Sequence, residues 1–544
     1  ACGRPVPVKI RITHHASRIT HYEHGGNILL KRIRRVTQII VLIIFIYLII
    51  ETADPLTKEH TEIFLRLSPL SNILTVIGTR HFVFEHMVPG IIVLIISLFL
   101  GRFFCGWICP LGTTIDIADK LIPFVRGRSM PDHKWKYMLL TALLTLSLLG
   151  VSVSGILDPL CIAQRSYALL IYPFVNLIIR NFIEILYYIP FVKDAGREIY
   201  DFLLNRKLLT TEQVFYTGHL FIYCLFAGIL LLSLKSRRYW CKSLCPLGAM
   251  IGVFSWFPLY RRYVSDKCNK CAQCQIDCKM NAIENAGKKT LYHECIGCFD
   301  CLYSCPEKAV SFNFFNILNI LKKKKEESHE EPQDLPGKTT KSLYGRRITR
   351  RDIIKGAAAG AVAVPVLRLD PLRKCEYPFL LRPPGSIEEK LFKDTCIRCG
   401  TCMKVCPTNA IQPSVFEAGI DNLWTPKIVP RIGYCSYECN LCGQICPTNA
   451  IKHLEIKEKQ KTQIGLACIN RNRCIPYTRD DNCMVCEEMC PVPDKAIKYT
   501  VKKVMVNGFE KEIKQPYIDP ELCIGCGICE NKCPVRGMPA IYVT

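Results

Sequence analysis

Six runs of cysteine constrain this 544-residue chain more than any other feature. Four are unbroken C-x2-C-x2-C-x3-C: Cys268, Cys271, Cys274, Cys278; Cys295, Cys298, Cys301, Cys305; Cys396, Cys399, Cys402, Cys406; and Cys523, Cys526, Cys529, Cys533. Two are variants, Cys435, Cys439, Cys442, Cys446 and Cys474, Cys483, Cys486, Cys490, and five of the six runs are followed by Pro. Three thiolates from one tight loop cap three irons of a [4Fe–4S] cube, and the fourth cysteine reaches the neighbouring cube. Disulfides and zinc are the competing readings. The 33 cysteines are an odd number, and zinc sites usually pair two separated C-x-x-C units. The pattern therefore implies a chain that conducts electrons.

Hydrophobic residues make up 49% of the chain and concentrate in the first 260 positions. The formal charge of +24 would fit a nucleic-acid or anionic-membrane binder. Seven cubes, each with four thiolates at a net −2, would lower it to about +10. Much of the remainder lies beside apolar segments, so nucleic-acid binding is a weak reading.

Four segments approach the ~20 residues that span a bilayer core: Val36–Ile50, Val88–Phe104, Tyr137–Ile156 and Val214–Leu234. A fifth, Tyr167–Val192, holds Arg180 and Glu184 and reads as a buried or interfacial helix. Basic residues before the first span, between the second and third, and after the fourth place the N-terminus in the cytoplasm. The second and fourth spans end alike, in Cys105-Gly106-Trp107-Ile108-Cys109-Pro110-Leu111-Gly112 and Cys241-Lys242-Ser243-Leu244-Cys245-Pro246-Leu247-Gly248. This is a unit duplicated in parallel. Cysteines four apart share a helical face, so the two ends, brought together on one side of the membrane, would offer Cys105, Cys109, Cys241 and Cys245 to a seventh cluster.

Residues 263–315 have the length and spacing of a bacterial two-cluster ferredoxin. The crossed ligation of that fold implies cubes on Cys268, Cys271, Cys274, Cys305 and on Cys295, Cys298, Cys301, Cys278. Residues 322–345 are a charged linker. Thr349-Arg350-Arg351-Asp352-Ile353-Ile354-Lys355 and the Ala-rich stretch behind it resemble a Tat export signal inside the chain. Ala361-Val362-Ala363 offers a cleavage site, but 353–369 is expected to stay as a membrane anchor.

The last 170 residues resemble the four-cluster polyferredoxins of respiratory oxidoreductases, in which motif one pairs with four and two with three. That resemblance implies cubes on Cys396, Cys399, Cys402, Cys533; Cys523, Cys526, Cys529, Cys406; Cys435, Cys439, Cys442, Cys490; and Cys474, Cys483, Cys486, Cys446. Cys2, Cys161, Cys224, Cys375 and Cys468 are left as bystanders. Residues 28–315 look like NapH, the membrane subunit of a quinol dehydrogenase, and 346–544 like its partner NapG, here fused; the membrane module is also similar to the CcoG and NosR accessory proteins. The resemblance implies oxidation of menaquinol or ubiquinol and delivery of electrons to a cytochrome or oxidoreductase outside the cytoplasmic membrane of a bacterium or archaeon, within a multi-subunit complex.

The expected fold is an α-helical membrane domain, four spans plus a Tat-type anchor, carrying two bacterial-ferredoxin-like α+β domains. Its divisions are a basic tail 1–35, membrane domain 36–262, cytoplasmic two-cluster domain 263–321, linker 322–345, signal and anchor 346–371 and exported domain 372–544. There is no C-x-x-C-H for covalent c-type haem, no dinucleotide fingerprint and no P-loop. His81, Glu85, His86 and His219 are the candidate proton acceptors for quinol. Two other function classes remain: an accessory reductase for metal-centre maturation, and a ferredoxin-fed quinone reductase.

Overall fold

Apolar runs too long for a loop form the helices, and glycine and proline end them. The computed structural model describes residues 25–52, 62–80, 84–122, 132–188, 193–205, 209, 214–256, 258–314, 348–369, 380–416, 419–506 and 509–544. The bundle contains the helices Gly25–Glu51, Phe84–Leu100, Lys134–Leu148 and His219–Leu231. Two helices, Leu29–Glu51 and Pro159–Tyr187, are long and apolar enough to cross a membrane, while Met87–Leu100 and His219–Leu234 are shorter. Their outward faces are apolar, with Ile39, Ile43, Ile92, Phe174 and Phe182 all exposed.

Two expectations are corrected here. The segment Tyr137–Ile156 is not one continuous helix: it stops at Leu148, and Gly150, at φ 74° just past the cap residue Leu149, turns the chain away in the left-handed region. Residues 167–188, expected as a buried or interfacial helix, are for the most part not buried. They continue from Pro159 through a π-turn at Tyr167–Ile171 into Tyr172–Tyr187, a length and composition that would span. The amphipathic helix Lys193–Asn205 then folds back, with Gly196 against Leu186. Residues 214–216 thereby return to line one groove with Tyr172 and Asn176, so the excursion begins and ends at the same end of the bundle.

The two-cluster unit sits at the end where Lys134–Leu148 begins. Its termini pair as antiparallel strands Tyr260–Val264 and Val310–Phe314, Arg262 opposite Phe312. Lys31 binds Asp300 at 2.9 Å, and Trp107 Nε1 donates to the Gly297 carbonyl at 3.1 Å. The four-cluster unit occupies the other end: the Ser152 amide donates to Asp394 (2.9 Å) and Arg165 to the Arg398 carbonyl (3.0 Å). The helix Arg350–Leu369 runs alongside Lys134–Leu148 in the same direction, Gly356 against Met138 and Thr141, Gly360 against Ala142. It carries the chain from one end to the other. The linker 322–345 and the tail 1–24 lie outside the described residues.

Candidate iron–sulfur centres

The cysteine runs fold into loops whose backbone is bent the same way each time. In all four unbroken runs the residues just before and just after the second cysteine are left-handed: Lys270 and Ala272, Gly297 and Phe299, Arg398 and Gly400, Gly525 and Gly527. For non-glycine residues this conformation costs on the order of 1–3 kcal/mol and persists only where the surroundings impose it. Amides further along donate to the fourth sulfur: Ala282 to Cys278 and Ala309 to Cys305 at 3.3 Å, Ile451 to Cys446 and Ala540 to Cys533 at 3.4 Å. Amide donors to the sulfurs are among the levers that set a cluster's potential.

These loops gather the thiols into groups. Cys274 faces Cys268, Cys271 and Cys305, and Cys301 faces Cys295, Cys298 and Cys278, the crossed arrangement expected of the two-cluster unit. The four-cluster unit differs from expectation. Cys446, not Cys533, joins Cys396, Cys399 and Cys402. Cys406 joins Cys435, Cys439 and Cys442. Cys533 lines one cavity with Cys474, Cys483 and Cys486, and Cys490 stands with Cys523 and Cys526. Motif one therefore pairs with two, and three with four. The cause is local: the hairpin Ile411–Pro413 with Pro426–Ile428 folds motif two back on motif one, and Ile497–Val506 with Phe509–Ile518 does the same for three and four.

The C-x3-C-P cysteines also meet. Cys109 and Cys245 each face Cys105 and Cys241, and Cys245 faces Cys109. Two arginines, unnoticed in the sequence although each stands three residues before its first cysteine, exchange places across the duplication. Arg102 lies over Gly248, where a Cβ would come within 2.5 Å of its Nη2, and Arg238 lies over Gly112 at 3.7 Å. Arg238 grips Asp116 through two 2.8 Å bonds and donates to the Cys105 carbonyl at 3.2 Å. Arg34 adds a third bond to Asp116 at 2.8 Å. Burial would raise the Asp116 carboxyl, but Arg238, Lys279 and Arg34 hold it well below the carboxylate range. Arg102 reaches across to Glu294 (2.7 Å), which Lys136 also contacts. Against its burial, these cations hold the Glu294 carboxyl down at about 2.

The groups fit cubes better than zinc. Four thiolates each 2.3 Å from one zinc must converge tightly, whereas each cysteine group here spreads around a gap. Cys278, Cys295, Cys298 and Cys301 line one small cavity, and Cys474, Cys483, Cys486 and Cys533 line another. Burial pushes the thiols of Cys295 and Cys298 up to about 11 and about 12, and Cys399 to about 12. Such thiols become thiolates at neutral pH through bonding to metal.

Of the quinol-site candidates, His81 and the side chains of Glu85 and His86 lie outside the described residues. His219 lines a groove with Tyr172, Asn176, Arg180 and Tyr216, beside the four-cluster unit. Cys161, read as a bystander, is fully buried against Ile397 and Cys399. Cys468 sits in the strand Ala467–Ile469, opposite Tyr542.

Comparison with known proteins agrees with the cluster chemistry. Two family models, each described as a 4Fe-4S binding domain, match this chain, one at residues 87–129 and 218–262, the other at 390–412 and 516–537. The first pair of segments contains both C-x3-C-P motifs. The chain is 31% identical over 207 residues to the ferredoxin-type protein NapG of Escherichia coli, covering 38% of this chain and 88% of that protein. It is 32% identical to the methylamine utilization ferredoxin-type protein MauM of Methylorubrum extorquens over 165 residues, 30% of this chain and 71% of MauM. The putative electron transport protein YccM of E. coli is 26% identical over 298 residues, 50% of this chain and 72% of YccM. No solved structure matches.

Proposed function

The chain belongs to the family of ferredoxin-type iron–sulfur electron-transfer proteins that includes NapG, and we propose that it joins the quinol pool of a cytoplasmic membrane to a redox partner outside the cytoplasm. The observation that carries this reading is the placement of thiol groups: two at one end of a helix bundle, four at the other, and the C-x3-C-P group beside the two. A soluble ferredoxin has no use for an apolar bundle between its clusters. The exposed Ile, Leu and Phe side chains of that bundle suit lipid contact. The helix Arg350–Leu369, with its twin arginine, is the export signal and remaining anchor, and the four-cluster unit is extracytoplasmic. The NapH-like fusion and the kinship with CcoG and NosR belong to the same proposal.

The seven cysteine groups described above would each hold one [4Fe–4S] cube, which would supply a one-electron store; the chain's part is to wall these sites with apolar side chains, donate amides to the cysteine sulfurs and align the groups. In the four-cluster unit, Cys402 faces Cys442, Cys435 faces Cys526, and Cys529 faces Cys486. The groups therefore form a row from the bundle to the Cys474 group, the exit toward a partner. The test is to add a quinol analogue to the purified, oxidised protein and follow bleaching of the visible iron–sulfur band. Bleaching abolished by a quinone-site inhibitor is expected. No reduction by any quinol, with rapid reduction by a low-potential ferredoxin, would reverse the assignment.

A further inference from the structure

Within the bundle, one groove has the walls, polar groups and neighbours that quinol oxidation requires. It is a half-open groove of about 170 Å³ between the Tyr172–Tyr187 helix and residues 214–219. Leu169, Leu170, Phe174 and Leu177 make it apolar, while His219, Tyr172 and Asn176 supply polar atoms. Its mouth continues into the exposed apolar faces of Phe174, Ile178, Phe182 and Leu220. A lipid-dissolved ring with an isoprenoid tail enters such a groove sideways, and a water-soluble substrate has no comparable route.

The cluster loop lies directly behind the residues that line the groove. Tyr216 is buried and donates its hydroxyl to the Met403 carbonyl at 3.3 Å, facing the thiols of both Cys406 and Cys402. Leu169 packs on Gly400, and the Lys404 ammonium stands 3.6 Å from the Tyr172 ring centre. Cys402 and Cys406 belong to different thiol groups, so the cubes they would hold would set two one-electron acceptors behind this groove. His219 is oriented by its Nδ1, 2.8 Å from the Tyr216 carbonyl. That bond places the proton on Nδ1 and leaves Nε2 as the acceptor. The strap carrying both residues is tied to the cluster unit, with Thr217 N donating to Gln412 (2.9 Å) and Asn409 to the Phe215 carbonyl (2.8 Å). Gly218, at φ 73°, packs so closely that a Cβ would lie 2.4 Å from Val415.

We infer that this groove is the quinol site, with His219 Nε2 accepting a quinol proton while electrons pass to the Cys402 and Cys406 cubes. The inference rests on the quinol reading proposed above. The stoichiometry closes: each quinol leaves as quinone, its two electrons go singly to the two cubes, and its two protons go to the imidazole in turn and thence to water. The test uses the full chain in nanodiscs with its clusters loaded. Binding of a hydroxyquinoline N-oxide inhibitor is read by quenching of that inhibitor's fluorescence, and quinol-driven bleaching is read by stopped flow. Leu177→Trp should weaken inhibitor binding at least tenfold, and Leu170→Trp provides a second blocking variant should the first lose iron. His219→Gln should slow bleaching at least tenfold and change inhibitor binding less than threefold, with dithionite reduction unchanged. Wild-type bleaching and inhibitor binding in all these variants would place the site elsewhere while leaving the quinol reading intact. A wild-type protein that dithionite bleaches and no quinol does would overturn both.

Discussion

Asp116 and Glu294 each gather several buried cations, and removing either carboxylate strands those charges. Breaking a buried pair from one side typically costs about 3–5 kcal/mol, because the remaining charge loses its partner. Glu294→Gln is therefore expected to destabilise the seat of the two-cluster unit by that order, seen as a lower midpoint for thermal loss of cluster absorbance. Glu294→Asp should fall between. The thiol pairing has its own residue-scale test. With Cys399 and Cys446 in one group, Cys399→Ser with Cys446→Ser should remove one cube, about 4 irons. Cys446→Ser with Cys483→Ser should remove two, about 8 irons. The opposite result would restore the pairing of motif two with motif three.

At the scale of elements, the Arg350–Leu369 helix matters most, since among the described residues it is the element between the two cluster units along the chain. Gly356 and Gly360 are a small-xxx-small pair that lets two backbones approach. A Cβ on Gly356 would lie 2.5 Å from the Met138 carbonyl oxygen, and one on Gly360 2.5 Å from that of Ala142. Backbone cannot step aside as a side-chain tip can. Gly360→Leu should detach this helix from Lys134–Leu148 and make residues 350–369 accessible to protease in detergent, whereas Val362→Leu, on an exposed position, should not. An unchanged digestion pattern in Gly360→Leu would mean the contact is dispensable.

Across the whole molecule, the two cluster units sit at opposite ends of the bundle, and the proposed topology makes opposite ends opposite sides. Protease added to intact spheroplasts should digest the region after Pro371 and spare 263–314. Digestion of both regions, or of neither, would refute this orientation. Iron analysis should give about 28 irons per chain, and Cys105→Ser or Cys245→Ser should lower that by about 4. Wild-type protein with six cubes, and no loss in either variant, would make the C-x3-C-P cysteines structural.

The cluster chemistry was legible in the sequence because a cube dictates local spacing: C-x2-C-x2-C positions three thiols within one short loop, whatever surrounds it. The duplicated C-x3-C-P-L-G singled out Cys105, Cys109, Cys241 and Cys245, but the shared helical face expected of each pair does not form: helices Phe103–Trp107 and Tyr239–Ser243 stop first, and Cys109 and Cys245 are extended N-caps of the helices that follow. Partner choice for the fourth cysteine was not legible. Cys446 and Cys533 occupy equivalent places in their motifs, and only the hairpins at 411–428 and 497–518 decide which loop each one meets. Nor did composition reveal that Tyr172–Tyr187 leaves and returns to the same end of the bundle, or that the strap around Gly218 sets His219 and Tyr216 against the cluster loop. Spacing along a chain fixes what neighbours in sequence can bind. Which distant groups share a wall depends on how the elements pack, and that was decided by the tertiary structure.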